Sequence, residues 1–284
     1  MTARTPPLTP ERIAAIRARM PRAFARPFPE RAAIWTCGLG FALLTAYCMA
    51  RFELSPLLLW AGMGELTAIV AHMFPPLPGD DPREVFHAML ETVAMAFLGT
   101  LLAAVISVPL AFLAARNTFP YRLPRFGVRR FFDCLRGVDQ MIWALIFVRA
   151  VGLGPLAGIM AILISDTGTL AKLFSESIEN TDRKPSEGMQ ASGANRIQTL
   201  RFGIFPQVLP MFLSSTLYLF ESNVRSATIL GIVGAGGIGF QLSDRIRAHQ
   251  WEEASFILIV ILLTVACIDW LSKKLRMRLI GKRS

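Results

Sequence analysis

The chain has 284 residues, of which 53% are hydrophobic and only 18% charged, and its mean hydropathy is +0.47. A soluble domain carries about a quarter charged residues, so this chain has too little polar surface to face water all round; disorder, a collagen and a secreted disulfide scaffold are excluded as well. Thirty Lys and Arg against 20 Asp and Glu give a net charge of +10, an excess that on a membrane protein marks cytoplasmic loops and does not call for nucleic acid.

Residues 1–33 are polar and basic, with Arg4, Arg12, Arg17, Arg19, Arg22, Arg26 and Arg31. The apolar run 34–50 begins too late for a typical signal peptide and reads as an uncleaved span. The segment 54–74 is interrupted by Pro56, Glu65 and His72. Further apolar runs cover 88–115, 137–151, 155–175, 204–220 and 254–271, separated by a basic stretch at 116–136 and a polar one at 176–202. A span needs about 20 apolar residues, so 137–151 must borrow from its flanks. Backbone polar groups in lipid must be satisfied locally, so all spans are predicted to be helical.

Charge decides the topology. With the N-terminus inside and 54–74 not crossing, the inner segments 1–33, 116–136, 172–202 and 272–284 hold 7, 6, 5 and 6 Lys or Arg, 24 of the 30. Arg51, Arg83, Arg225, Arg245 and Arg247 then fall outside. If 54–74 crossed as well, the block at 116–136 would move out, against the positive-inside rule. The segment 54–74 is therefore expected to be interfacial or re-entrant on the outer face, beside the acidic stretch 80–84, and both termini are expected to be cytoplasmic.

The motifs that carry chemistry are few. GAGGIG (234–239) matches G-x-G-x-x-G, but no βαβ pattern surrounds it. Gly234, Gly236, Gly237 and Gly239 fit a bend and close helix contacts instead. Asp166-Thr167-Gly168 resembles an aspartic-protease triplet, a chemistry that needs two carboxylates sharing a proton; an intramembrane aspartic hydrolase would therefore require two copies of the chain. The other reading of Asp166 is a carboxylate that pairs or lines a pathway. Arg149 either snorkels or meets a substrate, and Glu221 and Arg225, spaced i,i+4, either pair or line the path. Ser226 and Thr228 beside Arg225 add hydroxyls that an anion can use. Three scattered histidines and cysteines without C-x-x-C spacing give no metal site. No Walker A sequence is present, so the chain is not itself a P-loop ATPase.

The segment 183–210 reads as a cytoplasmic helical loop with a docking face from Met189, Ala194, Ile197 and Leu200. Its residues match the EAA loop of ABC-importer permeases: Glu187, Gly193 and Pro206 fall at the family's spacing. Gly188-Met189 stand for the two alanines, Gly203 for an isoleucine and Phe205 for a leucine. RGVDQMIWALIFVRAVGLGPLAGIMAI (136–162) and SATILGIVGAGGIGFQL (226–242) extend the likeness. Over residues 85–280 the chain resembles the permease subunit of phosphonate ABC transporters; methionine-importer permeases are more distant relatives that share the glycine-rich stretch.

The resemblance implies an all-α integral membrane protein, a type I ABC importer permease like the methionine permease, with about six transmembrane helices and a cytoplasmic coupling helix. The expected organisation is a basic segment at 1–33, a first span and outer-face segment at 34–84, the permease domain at 85–272 with its coupling loop at 183–206, and a basic tail at 273–284. The implied setting is the bacterial inner membrane, with a second copy of the chain, two ATPase subunits that bind ATP and Mg, and a periplasmic phosphonate-binding protein as partners. The implied cargo is a phosphonate or a related oxyanion such as phosphite or phosphate; a methionine-type importer is the alternative. This chain then has no catalytic residue and no cofactor of its own. Movement of the coupling helices at 185–198 would switch the spans between inward-open and outward-open states.

Overall fold

A computed structural model describes residues 28–52, 55–79, 81–119 and 121–280. The predicted basic segment up to residue 27 and the last residues of the tail lie outside this range. Among the described residues all regular structure is helical. The chain divides into two units, residues 1–68 and 69–284.

In the first unit, α1 covers Phe28–Arg51. Its Thr36 and Thr45 hydroxyls donate to the carbonyls of Ala32 (3.0 Å) and Phe41 (2.9 Å), so a polar side chain is satisfied inside its own helix. Helix α2, Pro56–His72, is continuous for 17 residues. Pro56 opens this helix, where a missing N–H costs nothing, and Glu65 lies within it.

The second unit is built around α3 (Pro82–Ala114) and α6 (Pro155–Glu179). Asp81 caps α3 by accepting from the Arg83 amide at 2.9 Å, with Pro82 in the first turn. The two helices run parallel, because their contacts advance together: Met95 meets Gly158, Gly99 meets Ile162, the Ser107 hydroxyl donates to the Thr167 carbonyl, and the Asn117 amide donates to the Ile178 carbonyl. The seam is made of small residues. Ala96, Ala103, Ala111, Ala157, Ala161 and Ala171 are all fully buried. In lipid, helix association has no hydrophobic drive and rests on such close backbone approach.

Helices α4 (Arg122–Gly137) and α5 (Gln140–Val151) run successively along α6 in the opposite sense. Arg129 meets Glu179, Asp133 meets Lys172, and Leu135 lies against Gly168. The 12-residue α5 is only about 18 Å long at 1.5 Å per residue. The apolar run 137–151 is thus one part of a longer path whose other part is α4. Among the described residues, five helical segments are long and apolar enough to cross a membrane: 32–51, 82–114, 155–179, 196–235 and 251–278.

Beyond α7 (Lys184–Ala191), a short turn at Arg196–Gln198 and wide helical turns over Thr199–Ile204 lead into α8 (Phe205–Leu230). The apolar run 204–220 suggested a span ending near Phe220, with Arg225 outside. The helix instead continues for ten residues and carries Glu221, Ser222, Asn223, Arg225 and Ser226 within it. Arg225 pairs with Asp269 of α10 (Trp251–Ile280), and Asp269 lies about 27 Å along that helix from Trp251. Arg225 thus lies within a helix and against α10, not in a loop beyond the end of a span. Hydropathy missed this because the polar residues on α8 are partnered by other helices.

Between α8 and α9 (Gly237–Arg247) the chain bends at the glycines. Gly234, Gly236 and Gly237 have φ of +102°, +81° and +71°, values that L side chains rarely adopt. A Cβ on Gly239 would lie 1.8 Å from the Thr228 carbonyl oxygen, and one on Gly231 would lie 2.6 Å from the Gly236 oxygen. We expect Gly239→Ala to destabilise the fold by about 1–3 kcal/mol through overpacking. Gly188→Ala, with nothing within 4 Å, should be neutral; thermal melting of the purified protein in detergent compares the two.

Candidate functional site

Four helices converge on one amide. Asn223 of α8 donates from Nδ2 to Thr100 Oγ1 of α3 at 2.7 Å and to Asp166 Oδ2 of α6 at 2.5 Å. Gln140, at the start of α5, donates to Asn223 Oδ1 at 3.5 Å. The Thr100 hydroxyl in turn donates a hydrogen bond to the Ala96 carbonyl at 2.8 Å. Thr100, Asp166 and Asn223 are all buried. In surroundings without water, these groups satisfy one another or remain unsatisfied. The arrangement fixes α3, α5, α6 and α8 at a common level, so any sliding between them breaks several bonds together. Asp166, singled out in the sequence, thus meets the Asn223 amide within its own chain.

A second cluster joins α8 to α10. Glu221 accepts from Arg276 Nη2 at 2.5 Å and lies 3.9 Å from Arg225. Arg225 donates to both carboxylate oxygens of Asp269, at 3.1 and 3.3 Å. The i,i+4 pair foreseen in the sequence exists, but each member has a closer partner on α10. Ser226 and Thr228 occupy the following turn, and the Thr228 carbonyl is the group that Gly239 approaches. Arg149 stands apart on the last turn of α5; it is exposed and makes no ion pair among the described residues.

The six pathway candidates thus fall in three places. Sequence reasoning passed over Thr100, Gln140, Asn223, Asp269 and Arg276. A signal existed for two of them: Asn223 lies between Glu221 and Arg225 on one helix, and Asp269 interrupts the run 254–271.

The glycines of the bend pack closely against their neighbours: Gly231, Gly234, Gly237 and Gly239 are buried and Gly236 is half-buried. The Gly154 amide donates to the Gly234 carbonyl at 3.0 Å, linking the α5–α6 turn to the bend. A Cβ on Gly237 would meet Thr92 Oγ1 at 2.3 Å, and one on Gly236 would meet Glu91 Oε1 at 3.0 Å. A carboxylate at that distance is a poor neighbour for a pyrophosphate, which a glycine-rich phosphate loop has to welcome.

Helix α7 carries the coupling candidates. Pro185 lies in its first turn, Glu187 is exposed there, and the chain reverses at Gly193, whose φ is +79°. Asn195 and Gln198 then form a reciprocal cap, each side chain accepting from the other's backbone amide, at 2.9 and 2.8 Å. Gly203 brings the start of α8 against Ser186, where a Cβ would be 3.3 Å from Ser186 Cα. Arg183, Glu187, Gln190, Arg196 and Thr199 line an adjoining cleft of about 400 Å³. Ile197 is 74% exposed and Met189 half-buried, so the proposed docking face is partly open.

Residues 107–280 match the family described as the binding-protein-dependent transport system inner membrane component. The chain belongs to this family. It is 38% identical over 238 residues to the phosphite transport system permease protein PtxC of Stutzerimonas stutzeri, spanning 84% of this chain and 85% of the relative. It is also 38% identical over 221 residues to the phosphate-import permease protein PhnE of Mycolicibacterium smegmatis, covering 78% of this chain and 41% of that protein. Among solved structures, an inward-facing form of the MetNI methionine ABC transporter superposes with a TM-score of 0.61 at 18% identity, over 70% of this chain and 99% of that one. The fold is that of a type I ABC importer permease.

The polar node can be tested by a double-mutant cycle. Asn223→Leu leaves Asp166 and Thr100 without their donor, and we expect a loss of about 1–2 kcal/mol in detergent. Combining it with Asp166→Leu should recover part of that loss, because removing both partners costs less than stranding one. Thermal melting of the single and double variants checks the sign of the coupling.

Proposed function

We propose that this permease carries a phosphonate or a related phosphorus oxyanion, phosphite or phosphate, inward across the bacterial inner membrane. It does so as a homodimer with two ATPase subunits and a periplasmic binding protein. The observation that carries the cargo class is the 38% identity to the phosphite permease PtxC over most of both chains. Both termini and α7 face the cytoplasm in this reading, which the basic excess of the inner segments supports.

Three parts divide the work. The exposed α7, with Glu187 at its start and a reversal at Gly193, presents a face to a groove on the ATPase; Pro206 opens the helix that receives the movement. A carboxylate in the first turn favours this helix and can pair with a basic group on the partner. The Thr100–Asp166–Asn223 node is a discrete contact that is made in one state and remade in another, as a two-state switch requires. Arg225 and Arg149 offer permanent, planar donors to an anion that has left water, with Ser226 and Thr228 beside Arg225. Asp269 and Glu221 compete with the anion for Arg225, so its hold is weak enough to release cargo. The glycine bend at 234–239 lets these elements pack closely and repack.

The test is uptake of labelled phosphite, phosphonate and phosphate into vesicles holding the full transporter with its loaded binding protein. Glu187→Lys should abolish uptake and coupled ATP hydrolysis while membrane insertion persists. Gly193→Asp should in addition weaken co-purification of the ATPase. If either variant keeps coupled hydrolysis, or changes which oxyanion is carried, the coupling role fails.

The ion pairs define a further experiment. Swapping Glu221 with Arg225 would place arginine against Arg276, so the informative swap is Arg225→Asp with Asp269→Arg, which reverses the closer pair. We expect uptake to stay well below that of the parent protein. Full restoration would make the pair purely structural and remove Arg225 from the path.

A further inference from the structure

Helix α4 does not behave as a plain connecting segment. It carries exposed apolar and basic residues together where the apolar length of α3 ends. Arg129 Nε donates to the carbonyl of Ala114, the last residue of α3, at 3.1 Å. Around this point Arg116, Arg122, Arg125, Arg129 and Arg130 line a cleft of about 420 Å³. Two carboxylates face these five guanidinium groups: Glu179, which holds Arg129 and lies 3.9 Å from Arg116, and Asp133, which holds Arg130 at 3.1 Å. Glu176 lines a neighbouring cleft with Arg129, Arg130 and Lys172; Lys172 pairs with Asp133, so counting both Lys172 and Glu176 leaves the cations in excess. Arg125 reaches only the Phe119 carbonyl, at 3.5 Å, and Arg122 makes no ion pair among the described residues. The cleft therefore keeps an uncompensated positive charge.

The same cleft is lined by Leu123, 87% exposed, and Phe126, 63% exposed. Phe126 also lies under the Arg130 guanidinium, 5.3 Å from ring centroid to charge. Leu113, on the last turn of α3 and one residue before the Ala114 whose carbonyl Arg129 reaches, is 42% exposed. A site for a free inorganic ion has no use for exposed leucine and phenylalanine next to its arginines. A phospholipid needs both: cationic donors for the phosphate, and apolar contacts immediately membraneward for the first methylenes of the acyl chains. Basic clefts beside spans have this chemistry for anionic headgroups.

We propose that the α3–α4 corner binds an anionic phospholipid, the phosphodiester seated on Arg122 and Arg125 and the acyl chains along Leu113, Leu123 and Phe126. Arg129 and Arg130, held by Glu179 and Asp133, shape the cleft. The bound lipid ties α4, and through the Arg129–Glu179 pair α6, to the leaflet on the side of α7, and so gives the permease a dependence on membrane composition. The proposal rests on the chain's place in the inner membrane and is independent of which oxyanion it carries.

The full-length wild-type protein, purified in neutral detergent, is mixed with phosphatidylglycerol or phosphatidylcholine and read by native mass spectrometry. Phosphatidylglycerol should be retained and phosphatidylcholine lost. In Arg122→Gln/Arg125→Gln, retention should be about 30-fold weaker, as expected for two arginines' attraction to an anionic surface; Arg122→Lys/Arg125→Lys should keep most of it. Equal retention of the two lipids by the wild type overturns the proposal, and so does unchanged binding by the folded Gln variant. Displacement by glycerol 3-phosphate at the lipid's own concentration would make the cleft a free-phosphate site, and displacement by the assembled ATPase subunit would make it a protein-docking surface; each outcome refutes the lipid assignment. Should the Gln variant not fold, the wild-type comparison decides alone.

Discussion

The second unit depends on the Asn223 amide. One side chain on α8 holds Thr100 on α3 and Asp166 on α6, and Gln140 on α5 reaches it from a fourth helix. In water such an amide would exchange partners freely. Away from water it can satisfy itself only with the groups that the packing brings to it, so the relative heights of four helices are set by a few hydrogen bonds. The net energy of each bond is small. The constraint is nevertheless strong, because intermediate positions of the helices would leave several groups unsatisfied together. Few alternative arrangements of the helices remain, which is the property an alternating-access protein requires.

Small residues make that convergence possible. The α3–α6 seam of buried alanines with Gly99 and Gly158 lets two backbones approach, and it brings Thr100 and Asp166 within reach of a single amide. At the other end of α8 the glycine bend repeats the device. Gly239 sits on the Thr228 carbonyl, Gly237 on Thr92, and Gly234 holds the α5–α6 turn through its carbonyl. The bend and the node are therefore linked along α8. The Glu221, Arg225, Asp269 and Arg276 cluster binds α8 to α10.

Much of this was legible in the sequence. Hydropathy and length required helices, and the spacing of Glu187, Gly193 and Pro206 pointed to the permease family to which the chain belongs. Gly193 was singled out as a turn, and its positive φ gives the physical reason. These features are local: they depend on the chemistry of neighbouring residues and on the membrane as a solvent. Hydropathy also failed in a specific way. It ended a span at Phe220 because Glu221, Asn223 and Arg225 are polar, whereas the helix runs on to Leu230 with each of them partnered by another element.

What the sequence by itself determined is the solvent, the helical class, the family and the glycines that need their freedom. What only the tertiary structure decided is which polar residue meets which. Asp166 could have met any polar group of its own chain, and it meets an amide 57 residues away. Glu221 could have been satisfied by Arg225 alone, and its nearer partner is Arg276 on another helix. Hydrophobic periodicity fixes which face of a helix is buried but carries no information about its height or rotation against its neighbours. Those are set by close packing at Gly99, Gly158 and Gly239, and so by atoms far apart along the chain.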